Sequence, residues 1–168
     1  MRSLVAYATR SGNTRVIAES VARSLGERGP VTLSPVGELQ GVDPDVDLFV
    51  IGGPTEGLGM TGPVIDFFDR LEPGALAGVT AAAYDTRLRW PRFLSGSAAH
   101  GIAQRLQLAG AKMLAPPESF IVTMKSGLEP GQVERAAAWA IGLASHVIGV
   151  TAGGETSIPL AIGGTRRA

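Results

Sequence analysis

The stretch "VDLFVIGG", residues 46–53, is nearly all apolar after Asp47. A strand wet on one face alternates apolar and polar residues; a strand covered on both faces has no need to. This run therefore reads as the central strand of a sheet held between two layers of helices. The rest of the chain supplies both. "SLVAYA" (3–8), "VTLSPV" (31–36), "GVTAAAYD" (78–85) and "SFIVTM" (119–124) read as four further short strands. Between them the period changes. "GNTRVIAESVARSLGERG" (12–29) carries Val16, Ala18, Val21, Ala22 and Leu25 at about helical spacing and stops at Gly29–Pro30. "GPVIDFFDRL" (62–71) has Pro63 near its start, "SGSAAHGIAQRLQLAG" (95–110) ends at Gly110, and "PGQVERAAAWAIGLASHVIG" (130–149) is the last helix. Alternating strands and helices predict an α/β fold, a three-layer, doubly wound, five-stranded parallel sheet with right-handed crossovers. One domain spans residues 1–149, and a Gly-rich tail ending in Arg166 and Arg167 follows at 150–168.

Composition narrows the function classes. Acidic and basic residues balance at 15 each, which gives no case for nucleic-acid binding through a broad basic surface. All the basic residues except Lys112 and Lys125 are arginine. The chain has no cysteine, which excludes disulfides, Cys-based zinc sites, Fe–S clusters and a thiolate nucleophile. A cysteine-free chain with no visible signal peptide is expected in the cytoplasm. The apolar segment "AAAWAIGLASHVIGV" (136–150) is short of the roughly 20 strongly apolar residues of a bilayer span, and reads as a core-docked helix.

The chemistry concentrates in "YATRSGNT" (7–14), the turn after the first strand. In open parallel sheets, ligands bind outside the carboxyl ends of the strands, at the switch point of the strand order. Thr9, Ser11 and Thr14 bring hydroxyls there and Asn13 an amide. The N–H groups of residues 10–14 curl around Gly12, and the following helix presents its positive end. Together they form a concave site for a phosphate monoester. Arg10 either adds to its charge or is solvated. A plain helix cap needs one such side chain, not four. Other phosphate motifs are absent: no GxxxxGK[ST] occurs, and no GxGxxG follows the first strand. A receiver domain needs an acceptor Asp at the end of its third strand, where this chain has Gly52–Gly53.

"VAYATRSGNTRVIAESV" (5–21) resembles the signature of the flavodoxin family. That signature runs aromatic, any residue, Thr or Ser, two residues, Gly, one residue, Thr, three residues, Ala. Tyr7, Thr9, Gly12, Thr14 and Ala18 meet it; Ala6 is smaller than the usual branched or aromatic residue. The resemblance implies strand order 2-1-3-4-5. It also implies FMN as cofactor, with its phosphate on Thr9, Arg10, Ser11, Gly12, Asn13 and Thr14. The loop "GGPTEGLGMTGP" (52–63) would then cover one face of the isoalloxazine ring through Pro54, Thr55, Glu56 and Gly57. Leu58 and Met60 are its bulky residues, where electron-carrying members often place an aromatic. The segment "YDTRLRWPRFLSGS" (84–97) would follow the ring's other side and pyrimidine edge through Tyr84, Asp85, Thr86 and Arg87. Trp90 either stacks on the ring or a partner, or packs beside Pro91 and Phe93. Arg87, Arg89 and Arg92 form a local basic cluster. It suits the edge of an anionic reduced flavin, an acidic substrate or nicotinamide-cofactor phosphates, or is merely solvated.

Other features carry less. His100 and His146 lie in helices without partners at ligand spacing, and Ser97 with His100 makes no nucleophile elbow. Ser95 and Ser97 are cap candidates; Asp66, Asp69 and Glu72 share a wet helical face; Trp139 belongs to the core. No acid–base pair or nucleophile set stands ready for hydrolysis, so redox chemistry would belong to the flavin. Two jobs are open: single-electron transfer with a redox partner protein, or two-electron reduction of a small acceptor such as a quinone by a nicotinamide donor. Electron-carrying members are generally acidic, and the neutral charge here weakens the first. The alternative is a flavodoxin-fold module without flavin that binds another phosphate ligand or a protein partner.

Overall fold

The computed structural model describes residues 1–90, 96–125 and 127–153. At its centre β1 (Ser3–Tyr7) lies between β2 (Val31–Pro35) and β3 (Leu48–Pro54), both parallel to it, and β4 (Thr80–Leu88) continues the parallel array beyond β3. The register sets Val5 beside Leu33 on one side and Val50 on the other, and Val50 beside Ala82. Helices α1 (Asn13–Gly26), α2 (Gly62–Asp69), α3 (Ala98–Leu108) and α4 (Gln132–Gly153) fill the outer layers, and a single 3₁₀ turn spans Val36–Glu38.

The fifth strand of the expected order is split. β5 (Lys112–Met113) and β6 (Glu118–Thr123) both pair parallel with β4, and residues 114–117 interrupt them. Pro116 and Pro117 close that gap and have no N–H for a ladder, which explains the break. A further two-residue strand, β7 (Gly127–Leu128), turns back antiparallel on β6. Among the described residues the order is therefore β2-β1-β3-β4-β6-β7, with β5 on β4. Neither two-residue strand is long enough to show a period in the sequence.

Burial of both sheet faces follows from the strand residues. Leu4, Ala6, Phe49, Ile51, Ala81 and Ala83 point to the layer of α2 and α3. Val5, Tyr7, Leu48, Val50, Ala82 and Tyr84 point to that of α1 and α4. On α1 the buried stripe is Ile17, Ala18, Val21 and Leu25; Val16, expected on it, is exposed. β4 runs to Leu88, three residues beyond its expected end, because the polar residues Asp85, Thr86 and Arg87 hide a continuing strand. The last helix continues to Gly153, so residues 150–153 are helical; the remainder of the expected tail lies outside the described residues.

Tyr84 is fully buried in an aromatic triangle. Its ring centroid lies 6.1 Å from Phe120 and 6.0 Å from Trp139, which are 6.0 Å from each other. Tilted edge contacts of this kind add to simple area burial. The ring also fills the space beside Gly52, where a Cβ would fall 2.3 Å from the Tyr84 ring. Gly52→Ala is expected to lower the unfolding free energy by about 1–3 kcal/mol in urea titration. Gly37→Ala, with no heavy atom within 4 Å of the new Cβ, should change it by less than about 1 kcal/mol.

Burial, with a smaller contribution from nearby Tyr7, raises the Tyr84 phenol well above its ordinary pKa. The folded chain keeps it neutral while the unfolded chain ionises it near pH ~10. Its contribution is thus complete below about pH 10 and is lost as pH rises above that value. Tyr84→Phe should make the alkaline loss of stability shallower, read as urea midpoints between about pH 8 and about pH 11.

Candidate functional site

The turn between β1 and α1 is built around the start of the helix. Gly12 is the N-cap residue with φ 89°, a left-handed conformation that glycine adopts without a Cβ penalty. Its N–H donates to Thr9 Oγ1 at 3.0 Å, and Asn13 Nδ2 donates to Ser11 Oγ at 3.2 Å. The first helical bond runs from Val16 N–H to the Gly12 carbonyl at 3.1 Å. The N–H groups of Asn13, Thr14 and Arg15 therefore have no acceptor within the helix. The N-cap residue has no side chain to cap them, and the first turn carries no acidic residue. Among the described residues, no side-chain anion meets this partly positive helix end.

Thr14 is buried rather than lining the turn. Its hydroxyl pairs with that of Thr86 at 2.7 Å, joining the start of α1 to the end of β4. The turn borders a cleft of about 250 Å³ lined by Ala8, Thr9, Arg10, Pro54, Glu56, Thr61 and Pro63. Arg10 reaches across it to Glu56 at 3.6 Å, both side chains being exposed. Ala8, Thr61 and Pro63 are the lining residues that sequence reasoning missed. Thr61, directly before the Gly-Pro start of α2, was the available signal, and its hydroxyl is buried without a hydrogen-bond partner.

The segment after β3 forms a tight two-residue turn. Glu56 and Gly59 exchange backbone bonds of 3.1 and 2.9 Å, with Gly57 at φ 52° and Leu58 at φ 74°. Positive φ at both central residues gives the turn type that favours glycine, so Leu58 is strained and stands 62% exposed at the tip. Met60 points inward, against Gly101 of α3. Of the two bulky residues, only Leu58 is presented outward.

The residues expected from the third loop are placed differently. Tyr84 belongs to the core beneath the sheet, not to the site. Asp85, Thr86 and Arg87 are strand residues rather than loop residues. Asp85 is fully buried, and Oδ2 accepts hydrogen bonds from Thr55 Oγ1 (3.0 Å), Ser97 Oγ (2.7 Å) and Ala99 N–H (3.0 Å). Thr55 Oγ1 in turn accepts from Ala98 N–H at 2.9 Å. Thr55, just past the end of β3, and Asp85, in β4, thus cap α3. Ser97, at the N-cap position, does not cap the helix with its own side chain. Arg87 Nη1 donates to the carbonyls of Leu88 (3.2 Å) and Trp90 (2.9 Å). Arg89 is paired with Glu129 through both its Nε and Nη2, while Arg92 and Ser95 lie outside the described residues. The basic cluster therefore consists, where described, of arginines engaged with their own chain.

The structure brings together Thr9, Arg10, Ser11, Gly12 and Asn13 with Pro54, Glu56 and the Gly57 turn. It withdraws the side chains of Thr14, Thr55, Asp85 and Thr86 into bonds with one another and with α3. His100 Nδ1 meets Ser97 Oγ at 3.1 Å, and His146 Nδ1 meets the Gly142 carbonyl at 2.7 Å. Among the described residues no cluster of His, Asp and Glu is arranged to hold a metal, and no helix is long and apolar enough to cross a membrane.

The order 2-1-3-4 with helices on both faces defines a flavodoxin-like α/β fold. Solved structures bear this out. The oxidised flavodoxin 1 of Bacillus cereus superposes with a TM-score of 0.74 at 21% identity, over 87% of this chain and 99% of that one. Oxidised flavodoxin 2 of the same organism gives 0.70 at 26% identity, over 86% and 99%. The rubredoxin oxygen:oxidoreductase of Desulfovibrio gigas gives 0.70 at 17% identity, over 90% of this chain but 37% of that longer one. No family model matches the sequence, and no curated protein matches it. The resemblance read from the first turn thus holds at the level of the fold.

The buried hydroxyl pair has a direct consequence. Thr14→Val leaves the Thr86 hydroxyl buried without its partner and is expected to cost about 1–3 kcal/mol. Adding Thr86→Val should recover part of that loss, so a double-mutant cycle by urea denaturation should give a coupling energy of at least about 0.5 kcal/mol.

Proposed function

We propose that the chain is an FMN-binding redox protein, transferring electrons or reducing a small acceptor through the bound flavin. The observation that carries this reading is the uncapped start of α1 beside the β3 turn, at the carboxyl edge of a flavodoxin-like sheet. A dianionic phosphate ester matches the unpartnered N–H groups of Asn13, Thr14 and Arg15, with the hydroxyls of Thr9 and Ser11 and the charge of Arg10 alongside. The cleft is smaller than the roughly 300 Å³ at which pockets begin to enclose a drug-sized ligand, so a flat ring would extend past it toward Gly57 and Leu58.

These residues fit FMN, which when bound supplies one- and two-electron redox chemistry. The chain's own part is to hold and orient. The helix end binds the phosphate, the Glu56–Gly59 turn shapes one side of the ring site, and Leu58 shields it from water. The exposed apolar tip and the absence of an aromatic in residues 55–61 favour a second reading, a module that keeps the phosphate site without flavin.

Purified protein should be yellow, or become so on adding FMN, and should quench FMN fluorescence at micromolar concentration. Riboflavin, without the phosphate, should bind at least about tenfold more weakly. Gly12→Val places a branched residue at positive φ and should weaken FMN by about tenfold. A colourless protein that leaves FMN fluorescence unchanged would exclude the flavin. Given binding, stopped-flow mixing with NADH and NADPH separates the two jobs: rapid direct reduction marks the enzyme, and its absence with two resolved one-electron waves in potentiometry marks the carrier.

A further inference from the structure

We infer that Asp85 is a positioning residue. Its buried carboxylate fastens the segment after β3 to the start of α3 and so fixes the position of the turn against which the ring of the proposed ligand lies. This rests on the FMN reading above, and concerns how the ring side of that site is held.

The bonding is unusual in gathering donors from two separate segments onto one oxygen. Asp85 Oδ2 takes Thr55 Oγ1 from the β3 side, and Ser97 Oγ and Ala99 N–H from the α3 side. Thr55 has one hydroxyl proton and gives it to Asp85; its oxygen then accepts from Ala98 N–H, a second tie between the same segments. Ser97 likewise spends its proton on Asp85, so its oxygen accepts from His100 Nδ1–H. A carboxylate at the start of an 11-residue helix is further stabilised by the helix dipole. Independently, a Cβ on Gly96 would fall 2.0 Å from the Leu58 carbonyl oxygen, and Gly96 has φ 65°. The tip of the β3 turn and the approach to α3 therefore touch directly, at a distance only glycine permits. None of Asp85's own partners belongs to the 9–13 turn. The Asp85 network therefore holds the ring side without itself bonding to the phosphate side, the two being linked instead through the Thr14–Thr86 hydroxyl pair.

The remaining oxygen, Oδ1, is buried and has no partner. Asp85→Asn can accordingly keep its carbonyl oxygen toward the three donors and turn its amide to the orphan side. It removes the charge while preserving the shape, and charge-assisted bonds become ordinary ones.

The test compares wild type with Asp85→Asn using two probes: FMN by fluorescence quenching, and inorganic phosphate by amide shifts of residues 13–15. Asp85→Asn is expected to raise the FMN dissociation constant about tenfold while leaving the phosphate response as in wild type. FMN affinity within about twofold of wild type overturns the inference, as does an equal loss of both responses, which would mark general unfolding or loosening. Should Asp85→Asn fail to fold, Ser97→Ala removes one donor and leaves the carboxylate in place. It should weaken FMN severalfold with phosphate unaffected, and unchanged FMN affinity there overturns the inference equally. Wild-type protein that binds no FMN overturns the underlying reading, and this inference with it; wild-type binding with parity in the variants overturns this inference alone.

Discussion

Three amide N–H groups at the start of α1, those of Asn13, Thr14 and Arg15, have no acceptor in the helix, and the chain provides no carboxylate in the first turn to meet them. Most helix starts satisfy such groups with a Ser, Thr, Asp or Asn at the N-cap. Here that position is Gly12, whose φ of 89° turns the chain tightly and leaves the donors facing outward. The rest of the architecture fixes where they face. β1 is bordered on both sides by parallel strands and covered on both faces, so its carboxyl end opens at only one edge. The turn after β3 comes to the same edge because Gly52 lies in register with Tyr7.

The two sides of the proposed site are built by different physics. The side proposed for phosphate is backbone and dipole, with few side chains committed. The side proposed for the ring is a network of buried side-chain bonds centred on Asp85, plus one close backbone approach at Gly96. In such a network the bonds strengthen one another, and an unpartnered atom such as Asp85 Oδ1 is costly. Thr14 and Thr86 join the two sides through their paired hydroxyls, so the start of α1 and the end of β4 are held as neighbours.

The fold was legible where burial imposes a pattern. Residues 48–53 read as a doubly covered strand because both of their faces are apolar, and α1 and α4 read as helices from their period. Legibility failed where polar residues serve structure. Asp85, Thr86 and Arg87 look like loop chemistry, yet they are the continuing strand β4, and Asp85 Oδ2, the Thr86 hydroxyl and Arg87 Nη1 bond within the chain. Tyr84 looked like a ring contact because it stands beside them, but strand alternation sends it to the opposite face, against Phe120 and Trp139. Spacing alone does not tell which face of β4 meets the ligand edge. The turn after β1 was legible as a tight strand-to-helix turn about Gly12, but not the fate of Thr14, whose hydroxyl is buried against Thr86 instead of facing the turn.

The most direct measurement of the central claim follows the amide resonances of residues 12–15 and the phosphorus resonance of FMN in one titration. The account expects the amide protons of Asn13, Thr14 and Arg15 to move downfield together as the phosphorus signal shifts, with riboflavin leaving them in place. FMN binding that leaves those three amides unmoved would contradict it, because the phosphate would then be held by some other part of the chain.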